Sequence, residues 1–141
     1  MWENEKIPLP HSRVYTRLGA TSNGIGVYAI VDIPPKTNIF SNDDFEMVWI
    51  DKSLIENLNQ NLKRLYQDFC VLKGDTYGCP KNFNMLTVGW YLNHNPLNPN
   101  VICDDNFDFY TDRFIAEGDE LTVDYSNFSD DYRNDLEVNN L

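Results

Sequence analysis

The side chains able to do chemistry are few and lie scattered along 141 residues. Cys70, Cys79 and Cys103 are widely separated, and with only His11 and His94 to assist them they have no metal-ligand spacing. No metal site is expected. An odd number of distant cysteines indicates reduced thiols rather than a disulfide framework, and so a reducing compartment, cytoplasmic or nuclear. Three short motifs remain. Gly24-Ile25-Gly26 is a glycine spacing that hairpins commonly need, and alone it says little. Asn93-His94 opens a Pro/Asn-rich stretch that runs to Asn100, and such a pair more often closes a turn than binds anything. Tyr125 ends the run EGDELTVDY, residues 117–125, and a tyrosine at a strand end is ordinarily half-buried packing.

The elements that must position these motifs are short. Val14–Tyr15, Gly26–Ile33 and Asn38–Phe40 read as strands, rich in β-branched and aromatic residues, and Pro34-Pro35 must turn because neither residue can donate to a ladder. One helix is predicted from Asp51 or Ser53 to about Leu72. Its Leu54, Leu58, Leu62, Leu65 and Phe69 recur at spacings of three and four as one buried stripe, with Gly74 as the stop. That helix reads as scaffold. Val101–Cys103, Phe107–Tyr110 and Leu121–Tyr125 read as further strands, with a turn over Arg113–Gly118. From Ser126 the chain is polar and acidic, a short helix over the domain or a frayed end. Many short strands, one helix and dense turns predict a single α+β, mostly β domain, and 42% apolar with 13% aromatic residues supports a real core.

Charge narrows the partners. The net charge is −11, and the residues from Asp104 onward hold twelve acidic and two basic side chains, almost the whole excess. Such a surface repels phosphate backbones and attracts a basic peptide or protein, although a merely solvated acidic face is the common alternative. No direct nucleic-acid partner is expected. The longest apolar stretch, Gly24 to Val31, is too short to span a bilayer, and MWENEK lacks a signal-peptide pattern, so no membrane partner is expected either.

Three segments taken together resemble the SET domain of protein lysine methyltransferases, as in small stand-alone viral or bacterial members. SNGIGVYAIVDIPPKTNIF, residues 22–40, resembles the family's opening hairpin with its Gly-x-Gly turn. GWYLNHNPLNPNV, residues 89–101, resembles its Asn-His box followed by Pro-Asn, with one extra residue and Asn95 where serine is usual. EGDELTVDY matches its Gly-Glu-Glu-Leu-Thr-x-Asp-Tyr signature. The resemblance spans about residues 10–130, with a domain core over about 10–128 and the acidic tail 126–141 as a short closing segment.

The resemblance implies a β-clip-like fold of small curved sheets, with a pseudoknot and the helix in an insert. It also implies methyl transfer from S-adenosylmethionine to a lysine of a basic protein, histone-like or ribosomal. Tyr125 matches the catalytic tyrosine. Ser22, Asn23, Gly24, Ile25 and Gly26 match the cofactor side, Asn93 and His94 match the pair that supports the cofactor, and Tyr77 is a further candidate for its cleft. Tyr91, Phe107, Phe109, Tyr110 and Phe128 are candidate walls of the lysine channel. The tail, or a second subunit of a homodimer, would close that channel. The alternative is a non-catalytic SET-like module that binds a basic partner through its acidic face.

Overall fold

A computed structural model describes residues 14–22, 24–41, 43 and 46–131. Asn23, His11 and the tail beyond Asp131 therefore lie outside the described residues. The chain builds β1 (Thr16–Thr21), β2 (Gly24–Ala29), β3 (Met47–Asp51), α1 (Gln60–Phe69), β4 (Val71–Lys73) and β5 (Thr76–Pro80). It then builds β6 (Asn93–His94), β7 (Val101–Cys103), β8 (Phe109–Thr111) and β9 (Glu120–Val123). One sheet runs β1-β2-β9-β7-β8 with β6 also on β9, and the other runs β3-β5-β4. With one α-helix among the described residues, the architecture is α+β and mostly β, as the sequence predicts.

Several boundaries differ from the sequence reading, each for a local reason. The first strand is Thr16–Thr21 rather than Val14–Tyr15, because it pairs along its whole length with β2. Asn38 makes only an isolated bridge to Tyr110. The helix begins at Gln60, where Asn59 Oδ1 accepts the N–H of Leu62 at 2.9 Å, a side-chain cap that the apolar spacing conceals. Upstream, Lys52–Leu54 is a short 3-10 turn that leaves Leu54 exposed. The stripe is therefore Leu62, Leu65, Tyr66 and Phe69, all half-buried, and the chain turns extended at Cys70. Gly74 does not stop the helix. At φ +59 it is the first of two residues joining β4 to β5, a position that requires positive φ in a two-residue hairpin.

The main core is Val27, Ala29, Ile33, Ile39, Leu92, Val101, Ile115, Leu121 and Val123, and it lies beneath the larger sheet. The last strand is central to it. β9 pairs antiparallel with β2 through Val27↔Leu121 and Tyr28↔Glu120, and parallel with β6 and β7. Both ends of the segment 93–101 thus grip β9. Asn95 N–H donates to Val123 O at 2.9 Å. The buried Asn100 side chain donates to Glu120 O at 2.9 Å and accepts from Thr122 N–H at 2.8 Å. Asn100 satisfies two main-chain groups where no strand reaches, as buried polar groups require.

Candidate active site

The three motifs meet at Asn93. Its amide Nδ2 donates to Ile25 O at 3.0 Å in the first motif and to Glu120 Oε2 at 2.8 Å in the third. This packing depends on Gly26, where a Cβ would fall 2.4 Å from Glu120 Oε2 and 2.6 Å from Thr21 Cγ2. Ser22, Gly24 and Ile25 lie exposed on the same hairpin, so the junction has an open edge. The unusual spacing of the second motif is absorbed locally. Asn95 Oδ1 accepts from the N–H groups of Leu97 at 3.2 Å and Asn98 at 3.1 Å, a side-chain turn that loops out the extra residue.

His94 and Tyr125 form the next layer. The Tyr125 N–H donates to His94 Nδ1 at 2.9 Å, and the two rings lie 4.9 Å apart and tilted by 30°. Tyr125 is not in a strand. β9 ends at Val123, Asp124 Oδ1 accepts from Ser126 N–H at 3.0 Å, and Tyr125 opens the 3-10 turn Tyr125–Asn127. That turn swings the ring inward, where its hydroxyl donates to the main-chain oxygen of Leu92. Phe128 packs edge-on against both Tyr125 and Phe109, at 5.8 and 6.0 Å.

Tyr125, Phe109 and Phe128 line one side of a cavity of about 300 Å³. Leu92 and Val123 are buried core residues, so they and Tyr125 form its floor. Phe40, Phe107, Phe109 and Phe128 supply aromatic walls, and Asp43, Asp68 and Asp108 place acids along its lining. Partial desolvation raises the Asp43 carboxyl above its ordinary value although the residue is largely exposed. Phe107 reaches its place against Trp49, 5.8 Å away, through a positive φ of 62°. The turn is held by Asp104 Oδ1, which accepts from Asn106 and Asp108 N–H at 2.9 Å each. Leu92 lines the cavity while Asn93 reaches the Gly24–Gly26 edge, the opposite directions expected of neighbours in extended chain. The edge and the cavity floor therefore share one strip of backbone.

Of the sequence candidates, Gly26, Ile25, Asn93, His94 and Tyr125 are brought together, and Phe107, Phe109 and Phe128 join Tyr125 around the cavity. Tyr91 and Tyr110 are placed differently. Tyr91 packs on the core with its ring 5.6 Å from Phe69, and Tyr110 sits opposite Ile102, on the other face of β8 from Phe109. Tyr77 lies in the smaller sheet, across from Ile50 and Leu72, with its ring 6.4 Å from Tyr66. Glu120, Asn100 and Phe40 take part without having been singled out. Only the third motif itself could have drawn attention to Glu120.

A family model described as the SET domain matches residues 24–126, most of the chain. The protein belongs to the SET-domain family. Its fold is similar to that of a solved Plasmodium falciparum protein described as a "putative histone methyltransferase". The TM-score is 0.54 at 21% identity, covering 79% of this chain and 93% of the other. A search of curated proteins finds no match. SET domains are generally methyltransferases, and the matched range contains Ile25, Gly26, Asn93 and Glu120 of the junction and the whole cavity floor. No helix among the described residues is long and apolar enough to cross a membrane.

Proposed function

We propose that this SET domain transfers a methyl group from S-adenosylmethionine to a lysine of a basic protein, with Tyr125 at the transfer centre. The observation that supports this most directly is the floor of the cavity, where the Tyr125 hydroxyl meets the Leu92 carbonyl between aromatic walls. The open edge at Gly24–Gly26 suits the cofactor's amino-acid end. It offers unobstructed backbone at Gly24, an amide oxygen on Asn93 and a half-buried carboxylate on Glu120. When bound, the cofactor supplies an electrophilic methyl group on a cationic sulfonium.

The chain's own contribution is positioning and electrostatics. On the order of one in a thousand free lysine amines is neutral at pH 7, and only the neutral amine attacks. A lysine entering the cavity alongside Phe109 and Phe128 leaves water for apolar ring faces, which disfavours its charged form. The Tyr125 and Leu92 oxygens then orient the amine N–H and the polarised C–H groups of the methyl. A carboxylate at the amine itself would retain its proton. Asp43, Asp68 and Asp108 are therefore assigned to basic residues flanking the target, as the net −11 of the whole chain also favours.

Incubation with S-adenosylmethionine and a panel of histones and ribosomal proteins is expected to add methyl mass increments to lysine. Tyr125→Phe is expected to lower kcat by about 10²–10³, the size of losing one preorganised polar group at a reacting centre. Absence of cofactor binding and of methylation across the panel sinks the enzyme reading. Basic-partner binding without methylation favours the non-catalytic module, which the acidic lining of the cavity would also serve. Full activity in Tyr125→Phe removes that residue from the transfer centre while sparing the family.

A further inference from the structure

We infer that Glu120 is a positioning residue for the cofactor's ammonium group, acting by locking the orientation of the Asn93 carboxamide. The inference rests on the methyl-transfer reading and goes beyond it by assigning a residue and a way of acting. Asn93 has two amide hydrogens, and each goes to a group that can only accept: the carbonyl of Ile25 and, as an ionised carboxylate, Glu120. Rotating the amide by half a turn would set its oxygen against both acceptors. The amide is therefore held one way round, and its Oδ1 is directed away from Ile25 and Glu120. Among the described residues, no hydrogen bond reaches that Oδ1 and no basic side chain forms a salt bridge with Glu120.

A half-buried carboxylate that accepts one amide N–H keeps further lone pairs, and its charge, for an arriving cation. The arrangement offers that cation an oriented amide oxygen with a negative charge behind it. An α-ammonium fits both features; a neutral thioether fits neither, and the uncharged amino group of adenine fits only the amide oxygen. Gly26 belongs to the same device, since any side chain there would displace the carboxylate. Tyr28↔Glu120 is a paired position of β2 and β9, so the register of the sheet core fixes where the carboxylate stands.

The test is calorimetric titration of the wild-type chain, Glu120→Met and Glu120→Gln with two ligands. S-adenosylhomocysteine carries the amino-acid portion, and 5′-methylthioadenosine lacks it. Glu120→Met keeps length and removes the acceptor. It is expected to weaken S-adenosylhomocysteine about tenfold or more, the effect of one charge-assisted hydrogen bond, and to leave 5′-methylthioadenosine within about twofold. Glu120→Gln retains an amide oxygen for Asn93 and is expected to recover most of the loss. In turnover, KM for S-adenosylmethionine rises while KM for the protein substrate stays constant. Equal affinities across the variants overturn the assignment, as do parallel losses for both ligands, which indicate a general structural role. A Glu120→Gln variant as weak as Glu120→Met also overturns it, because charge alone would then act. A wild-type chain that binds neither ligand overturns the methyl-transfer reading and this assignment with it. If Glu120→Met fails to fold, Glu120→Ala removes the acceptor in its place and is judged by the same two-ligand comparison.

Discussion

Replacing Asn100 with leucine tests whether the crossing of β9 is held by a side chain acting as backbone. Asn100 is buried, and its carboxamide pairs with Glu120 O and Thr122 N–H at 2.9 and 2.8 Å. Leucine has the same number and branching of side-chain heavy atoms, is bulkier, and can make neither bond. Each buried main-chain group left unpaired costs about 1–3 kcal/mol, so Asn100→Leu is expected to lose about 2–6 kcal/mol. That is a large part of the 5–15 kcal/mol typical of a domain. With an unfolding entropy near 2.1 cal/mol/K per residue, 141 residues give about 0.3 kcal/mol/K, so the melting temperature should fall by about 7–20 °C. The assay is thermal and urea unfolding, with Asn98→Ala as control. Asn98 lies exposed in the same loop, and its replacement should stay within about 0.5 kcal/mol of wild type. An Asn100→Leu protein as stable as that control refutes the reasoning, because the two main-chain groups would then be satisfied by water.

Two further outcomes follow from the same geometry. Burial, reinforced by Asp104, pushes the Cys103 thiol from 9.0 up to about 12. The folded state therefore keeps a proton that the unfolded state releases, so stability is intact below pH 9 and declines as pH rises toward 12. Alkylation of native Cys103 at pH 8 should accordingly be much slower than in urea, and Cys103→Ala should remove its part of the alkaline slope; rapid native alkylation would contradict this. At Gly26, alanine must displace the Glu120 carboxylate 2.4 Å away, so Gly26→Ala should cost about 1–3 kcal/mol by overpacking. It should also weaken S-adenosylhomocysteine binding, and a variant with unchanged stability and affinity would show that the junction is not tightly packed.

The local features of this chain were legible and the non-local ones were not. EGDELTVDY and Asn93-His94 identify their own roles in the fold because each is a contiguous motif whose partners are other motifs. The spacing predicts too long a helix because Leu54 and Leu58 share the spacing of Leu62 and Leu65, and apolar period alone does not distinguish a 3-10 turn from an α-helix. The Asn59 cap carried the missing information. Among the aromatics, Phe109 and Tyr110 differ in role only because successive strand residues face opposite ways, and the phase of β8 is set by its pairing with β7. Phe107 takes its place through a left-handed backbone that no propensity favours for a bulky residue. The position of Glu120 depends on pairing with Tyr28, 92 residues earlier, which no short window contains.

That pairing has a consequence for how the molecule is made. β9 is the innermost strand of the larger sheet, with β2 on one side and β6 and β7 on the other, yet it is the last strand of that sheet to be synthesised. Until residues 120–123 emerge, Val27, Leu92 and Val101 lack their central neighbour, and β2 and β7 present bare edges. The larger sheet therefore closes only once β9 can take its place between β2 and the ends of the 93–101 segment. Such distant pairing predicts slow folding for a domain this small. It also predicts that nascent chains halted before Glu120 are the species most prone to aggregate and most in need of a chaperone.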